Sequence, residues 1–253
     1  MRTHTTLVIN PKGGSGKTTV ATTLASYFAA KQLRTTILDY DAQGSSLNWL
    51  RQRPAHLPRI YGASGAPQKT GLRSLGMHVP EDTQQLVIDA PAGASGLLLQ
   101  EMIFRANCIL IPVAPSTIDI HATANFIRDL LLAGRVRANN KRLGVVANRV
   151  RKSMPVYQPL ERFLNSLNLP LLGRLSDSDA FVTAAETGVG IFEMDFAASV
   201  AERQQFQPVA DWADSRQLVG EPKPVPAPVP FHPAMSVPGR PGLRVISKGL
   251  PAA

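Results

Sequence analysis

Short apolar runs recur along the chain, separated by segments long enough to form helices. Thr6–Asn10 (TLVIN), Thr35–Asp41 (TTILDYD), Leu86–Asp89 (LVID), Ile109–Val113 (ILIPV), Leu143–Ala147 (LGVVA) and Leu169–Leu175 are predicted strands. Runs of this kind, without a solvent-facing alternation, suit a parallel sheet covered on both faces. Helices are predicted over about 17–31, 45–53, 118–138 and 196–218, the last broken or kinked at Pro208. The expected fold class is therefore α/β, a doubly wound, mostly parallel sheet flanked by helices.

Two regions depart from this rhythm. At 54–80, Arg59–Ala63 has the makings of a short strand, but Gly62, Gly65, Pro67, Gly71 and Gly76 predict an irregular surface excursion. After Val219, Pro222, Pro224, Pro226, Pro228, Pro230 and Pro233 alternate with small or apolar residues. Such a stretch favours extended polyproline II or disorder and cannot continue a sheet or helix. The chain thus divides into a domain over 1–219 and a Pro-rich tail over 220–253.

With 253 residues, 44% of them hydrophobic, the chain suits one sizeable soluble domain. No run approaches the ~20 apolar residues of a membrane span, and the N-terminus runs into a glycine loop rather than a signal peptide. The lone cysteine, Cys108, sits in an apolar run and reads as a buried core residue of a cytoplasmic protein. The histidines (4, 56, 78, 121 and 232) show no metal spacing, and Trp49, Trp212, Met77, Met154 and Met194 read as packing residues.

The net charge of +9 is unevenly spread. Residues 1–80 carry ten Lys/Arg against Asp39 and Asp41, whereas 177–221 carry nine acidic residues against two basic ones. A basic body suits a polyanionic partner such as DNA. Arg135, Arg137, Lys141, Arg142, Arg149, Arg151, Lys152 and Arg162 cluster over 135–162, with Arg149, Arg151 and Lys152 the first choice for such contact.

The chemistry begins where the first strand ends. Gly13, Gly14 and Gly16 in KGGSGKTT (Lys12–Thr19) allow a backbone wrap that points consecutive N–H groups, with Ser15 between them, at phosphate oxygens. Lys17 supplies charge for the β- and γ-phosphates, Thr18 a hydroxyl for Mg²⁺, and the helix that follows its positive end. Thr19 completes the loop. ATP and Mg²⁺ are the expected cofactors.

Pro11 stands where this loop usually has its first glycine, and a second lysine, Lys12, opens it. The KGGxGKT form resembles the ParA/MinD family of deviant Walker ATPases. Asp39-Tyr-Asp41-Ala-Gln43-Gly44 is similar to the family's D-x-D-P-Q-G signature, with Ala42 replacing proline; Leu86–Asp89 with Pro91 and Gly93 resembles its Walker B strand and switch. Ile111–Ser116 and Ala147-Asn148-Arg149 resemble its later strands, and Asp177–Glu193 its C-terminal segment, although an arginine common in relatives near Ser178 is missing. The likeness covers about residues 5–218.

The resemblance implies a P-loop NTPase fold of the SIMIBI type and an ATP-sandwich homodimer in which Lys12 acts in trans on the partner's nucleotide. It implies that Asp41 orients the attacking water, that Asp39 supports it and the magnesium shell, that Asp89 holds Mg²⁺ together with Thr18, and that Asn148 lies at the adenine edge. Lys12, Lys17, Asp41 and Asp39 are then the catalytic set. It further implies slow, partner-stimulated ATP hydrolysis, with nonspecific DNA as the matrix, a ParB-like or other adaptor, and a nucleoid-associated location. The cargo would be a plasmid, a chromosome or a protein assembly.

Three rivals share the loop. A MinD-like ATPase would work on a membrane through an amphipathic C-terminal helix; here Val245, Ile246, Leu250, Arg244 and Lys248 are present, but Gly249 and Pro251 cut such a helix short. A metabolic ligase would need an added substrate domain, which the chain does not show. A non-hydrolysing, ATP-gated scaffold would differ in turnover alone.

Overall fold

The structure is a computed structural model and describes residues 3–66, 77–132, 136, 141–151 and 157–215. The Pro-rich tail, the C-terminal segment weighed for membrane binding, and Arg135, Arg137, Lys152 and Met154 lie outside the described residues. So does the predicted continuation of two helices, beyond Leu132 and beyond Ser215.

Seven strands form one parallel sheet: β1 His4–Val8, β2 Thr35–Asp39, β3 Ile60–Ser64, β4 Gln85–Asp89, β5 Cys108–Val113, β6 Arg142–Val150 and β7 Leu171–Ser176. Their order is β3-β2-β4-β1-β5-β6-β7. Helices connect them: α1 Lys17–Ala30, α2 Ser45–Gln52, α3 Gly96–Arg105, α4 Thr117–Leu132, α5 Tyr157–Ser166, α6 Asp179–Thr187 and α7 Phe196–Asp214. Among the described residues no helix is long and apolar enough to cross a membrane.

Strand side chains alternate between two apolar layers, as the pleat requires. Leu7, Ile9, Leu38, Ile88, Ile109, Ile111 and Val145 face Met102 and Ile103 of α3, Ile120 and Ile127 of α4, and Leu160 and Leu164 of α5. Val8, Ile37, Val87, Leu110 and Val146 face Val20, Leu24 and Phe28 of α1 and Phe206, Val209 and Ala210 of α7. Helix α1 is buried over most of its surface, which its small residues Ala21, Ala25, Ser26 and Ala29 allow. Cys108 lies in this interior at 0% exposure, and burial pushes its thiol up to about 11.

Two expectations are corrected, and two further helices add to those expected. Ile60–Ser64 is an edge strand paired with β2 rather than part of an irregular excursion. Gly62 misled the reading because it serves a close approach, not a turn: a Cβ there would meet Leu50 and Leu47 of α2 at 2.8 and 2.9 Å. The helix across Pro208 runs unbroken from Phe196 to Asp214. Proline removes one hydrogen bond, but Phe206, Val209, Ala210 and Ala213 are fully buried and hold both sides of it in place. Helices α3 and α5 were not anticipated. In α3, Leu97 and Phe104 are 82% and 80% exposed, so its apolar residues trace no single buried stripe.

The tryptophans pack as expected. Trp49 is buried and donates its indole N–H to the Ala184 carbonyl at 2.8 Å; Trp212 lies beneath the Arg142 guanidinium, 4.2 Å from the ring centroid.

Candidate functional site: a phosphate loop beside two aspartate-bearing strands

The carboxyl ends of β1, β2 and β4 lie side by side. In register, Val8 pairs with Asp89 and Asp39 with Asp89. Open α/β sheets place ligands at this edge, and here the glycine loop rises from β1, beside the two adjacent aspartate-bearing strands β4 and β2.

Asn10, fully buried just after β1, organises the loop. Its amide nitrogen donates to the Pro112 carbonyl at 2.7 Å and to Thr123 Oγ1 at 3.0 Å, while its Oδ1 accepts the Lys12 N–H at 2.9 Å. Gly93, beyond β4, donates its N–H to the Pro11 carbonyl at 3.0 Å. Gly14 and Gly16 take φ values of 74° and 90°, open to glycine and strained for other residues. Gly16 caps α1 without any side chain closing the helix end, and the first turn holds no acidic residue. The positive end of the helix is therefore directed at the loop.

Lys17 is 8% exposed and donates from Nζ to the Lys12 carbonyl at 3.0 Å. Burial pulls its pKa below the ordinary lysine value, and Asp89 and Asp41 oppose that pull. Thr18 donates from Oγ1 to Asp89 Oδ2 at 2.9 Å. Asp89 Oδ1 is buried with no hydrogen-bond partner among the described residues. Burial first, and the neighbouring Asp39 carboxylate second, raise the Asp89 carboxyl to about 7. An unpaired carboxylate oxygen beside a threonine hydroxyl, next to a loop of backbone donors and a desolvated lysine, fits a hard divalent cation bound with a polyphosphate.

Asp39 was expected to support Asp41 and the magnesium shell. It is fully buried and accepts the Asp41 N–H at 2.9 Å on Oδ1; Oδ2 accepts from Ser46 N at 3.1 Å, Ser46 Oγ at 2.8 Å and Leu47 N at 3.3 Å. The strand end thereby caps α2, whose own N-cap position is Gly44 with φ 62° and no capping side chain. Its contacts brace Asp41. Asp41 is half-buried, and its Oδ1 accepts the Gln43 N–H at 2.9 Å.

Asn148, expected at the adenine edge, props the loop from behind. It is 3% exposed and donates from Nδ2 to the Ser15 carbonyl at 3.1 Å. A Cβ on Gly16 would fall 1.8 Å from that nitrogen. Ser15, itself buried, donates to the Lys12 carbonyl at 3.2 Å. Gly13 and Gly14 are exposed at the loop's crest, and Thr19 is half-buried in the first turn of α1. Lys12 is half-exposed, its side chain 43% accessible and its Nζ 3.7 Å from Asp119 Oδ1.

The basic cluster divides. Arg149 and Arg162 are exposed, and Arg149 adopts a positive φ of 54° at the end of β6. Arg151 is exposed but paired with Asp177 at 3.0 Å. Lys141 and Arg142 also bond main-chain carbonyls. Lys141 donates to the Phe104 carbonyl at 3.0 Å and to the Ala106 carbonyl at the end of α3. Arg142 donates to the Trp212 carbonyl at 2.6 Å and to the Ser215 carbonyl.

Asn10 and Ser46 escaped the sequence reading. Asn10 left one signal, an amide closing an apolar strand immediately before the glycine loop.

Residues 6–191 match the CobQ/CobB/MinD/ParA nucleotide binding domain. Over 198 residues the chain is 24% identical to maintenance of carboxysome distribution protein A of Halothiobacillus neapolitanus, covering 76% of this chain and 88% of that protein. Among solved structures, apo McdA of Cyanothece aligns with a TM-score of 0.64 and 18% identity, over 84% of this chain and 99% of that one. The septum site-determining protein MinD of Pyrococcus horikoshii, complexed with Mg-ADP, aligns with a TM-score of 0.62 and 16% identity, over 85% and 97%. These two likenesses concern the fold, whereas the family match takes in the loop and both aspartate-bearing strand ends. This chain therefore belongs to the CobQ/CobB/MinD/ParA family of nucleotide-binding domains.

Proposed function

We propose that the chain is a ParA-like positioning ATPase that dimerises around ATP and distributes a cargo over nonspecific DNA. One observation carries this reading: the loop holds two lysines with opposite dispositions. Lys17 is buried within its own loop, whereas Lys12 stands half-exposed at the loop's mouth. A half-exposed lysine there is suited to a second chain's phosphates.

Within each site, Thr18 and Asp89 would hold Mg²⁺, which supplies charge neutralisation between the β- and γ-phosphates. Lys17 and the loop N–H groups bind and orient the phosphates. Asp41 orients the attacking water, and Asp39 fixes the Asp41 loop to α2. Asn148 keeps the loop's shape, and its expected contact with the adenine belongs to the same proposal. Weak hydrolysis, accelerated by an adaptor protein, would make ATP a timer for the dimer.

Arg149, Arg151 and Lys152 would contact DNA phosphates, with Asp177 competing for Arg151. The relative named for carboxysome distribution favours a large protein assembly as the cargo over a plasmid or chromosome. The protein would then work on the nucleoid.

Sedimentation with ATP tests the central reading. Wild type and the hydrolysis-blocked Asp41→Ala variant should both form dimers, the variant more persistently; a monomer in both at saturating ATP rejects the reading. Reversal of charge at Arg149, Arg151 and Lys152 should abolish ATP-dependent retention on nonspecific DNA at moderate salt. Unchanged retention would remove DNA contact from that patch.

A further inference from the structure

The face of α4 that meets the phosphate loop carries two polar residues one turn apart, Asp119 and Thr123. Thr123 Oγ1 accepts from the amide of Asn10, whose Oδ1 in turn fixes the Lys12 N–H. Asp119 Oδ1 lies 3.7 Å from Lys12 Nζ. Helix α4 therefore grips the start of the loop twice, once through the Lys12 backbone and once through its side chain.

The Asp119 carboxylate is itself held. Ser116 Oγ donates to Asp119 Oδ2 at 2.7 Å, and the Asp119 N–H donates back to Ser116 Oγ at 3.0 Å. Ser116 thus caps the α4 N-terminus by accepting the Asp119 N–H, and its hydroxyl ties down the Asp119 carboxylate. One carboxylate oxygen is occupied by the cap, and the other is presented to Lys12. Asp119 is 23% exposed in its side chain and Lys12 43%, so the pair is partly screened and can be exchanged for a stronger anionic partner.

We propose that Asp119 is a positioning residue for Lys12, holding its ammonium in cis over its own loop until a triphosphate competes for it. The inference rests on the reading of Lys12 as a lysine that acts in trans. An arm held by its own chain has to leave that partner before reaching another chain's phosphates. The strength of the Lys12–Asp119 pair then sets the ATP concentration at which two chains associate, without entering the phosphate chemistry.

Asp119→Asn keeps a side chain able to bond Ser116 but removes the charge facing Lys12. By the ordinary strength of a partly exposed ion pair, it should lower the ATP concentration for half-maximal dimerisation by about 1.5- to 5-fold. Asp119→Glu should stay near the wild-type value. In a Lys12→Ala background, which lacks the lysine that reaches the partner, the Asp119→Asn change should not restore ATP-dependent dimerisation, which separates positioning from a general effect on the helix. An Asp119→Asn protein that needs as much ATP as wild type, or more, overturns the proposal, as does dimerisation restored by Asp119→Asn in the Lys12→Ala background.

A second measurement does not need the dimer. Acylation of Lys12 by an N-hydroxysuccinimide ester, followed by mass spectrometry, should be faster in Asp119→Asn than in wild type. In wild type it should accelerate with salt. Equal rates, insensitive to salt, overturn the pair itself. If wild type never dimerises with ATP yet Lys12 acylation still depends on Asp119, it is the positioning-ATPase reading that has failed.

Discussion

Asp39 and Asp89 stand opposite each other in register at the carboxyl ends of β2 and β4, two buried carboxylates on adjacent strands. Their hydrogen bonding is unequal. Asp39 is saturated by three donors from the start of α2 and by the Asp41 N–H, whereas Asp89 receives Thr18 and keeps one oxygen unpaired. The negative charge of Asp39 is thus stabilised by the fold, and that of Asp89 is left for a ligand to stabilise.

Asp89 should therefore make the nucleotide-free protein less stable as pH rises. Its carboxyl sits at about 7, raised mainly by burial, so the folded chain holds this proton more tightly than the unfolded one. The penalty grows from about pH 4, the unfolded value, and is complete above pH 7. Without Mg-ATP, Asp89→Asn should exceed wild type at pH 8 by on the order of 2–4 kcal/mol. That advantage should shrink towards pH 4, and Mg-ATP should stabilise wild type far more than the variant. Thermal melts across that range check it; a difference independent of pH would show that the carboxyl is not carrying this cost.

Lys17 stores a similar cost with the opposite charge. Burial depresses its pKa, and its ammonium is satisfied by the Lys12 carbonyl and the nearby acids. Lys17→Met should lower ATP affinity by about ten- to a hundredfold, the range expected for losing charge-assisted bonds. The same change should leave the nucleotide-free protein as stable as wild type or more so. Calorimetric titration and melting curves measure the two effects, and a variant that merely unfolds would refute the second.

Gly16 and Asn148 offer a test of how tightly the loop is supported. Gly16→Ala introduces a Cβ 1.8 Å from Asn148 Nδ2 at a φ of 90°. The backbone strain alone should cost about 1–3 kcal/mol, and ATP binding should fail as the loop shifts. Adding Asn148→Ala makes room but leaves the strain, so the double variant should recover part of the stability and little of the binding. Full recovery of both would mean that contact with Asn148, and not φ, sets the requirement for glycine.

The sheet and the phosphate loop were legible in the sequence because both are local. Apolar runs mark buried parallel strands, and KGGSGKTT declares its own backbone wrap. What escaped depends on contacts between distant segments. Gly62 reads as a loop residue until α2 is seen lying on β3. The bond from Asn148 to the Ser15 carbonyl, which supports the loop, cannot be read from its place at the end of an apolar run. Lys141 and Arg142 read as surface charge, yet they satisfy carbonyls at the ends of α3 and α7. A count of charges along the chain cannot separate a cation that holds a helix end from one that faces solvent.

The buried pair of Arg53 and Glu193 supplies the last prediction. Arg53 follows α2 and is 6% exposed in its side chain; Glu193 is 3% exposed. Arg53 bonds Glu193 through both terminal nitrogens, Nη1 at 2.7 Å, and also donates to the Gly188 carbonyl at 3.1 Å and the Pro58 carbonyl at 2.8 Å. Glu193 accepts the Gly190 N–H at 2.9 Å. Helix α2 is therefore fastened at both ends, by Asp39 at its start and by Arg53 at its close. Arg53→Met leaves Glu193 buried without its counter-charge and should cost about 3–5 kcal/mol. Pairing it with Glu193→Met should recover much of that, as in replacements of whole buried pairs by apolar residues. Function should be affected unevenly at a temperature where Arg53→Met stays folded. Asp41 precedes α2 and depends on its position, whereas Lys17, Thr18 and Asp89 belong to α1 and β4. ATP hydrolysis should therefore fall several-fold while ATP affinity stays within about twofold of wild type, a change of under ~0.5 kcal/mol. Parallel loss of rate and affinity would mean that α2 does not carry Asp41 independently of the phosphate loop.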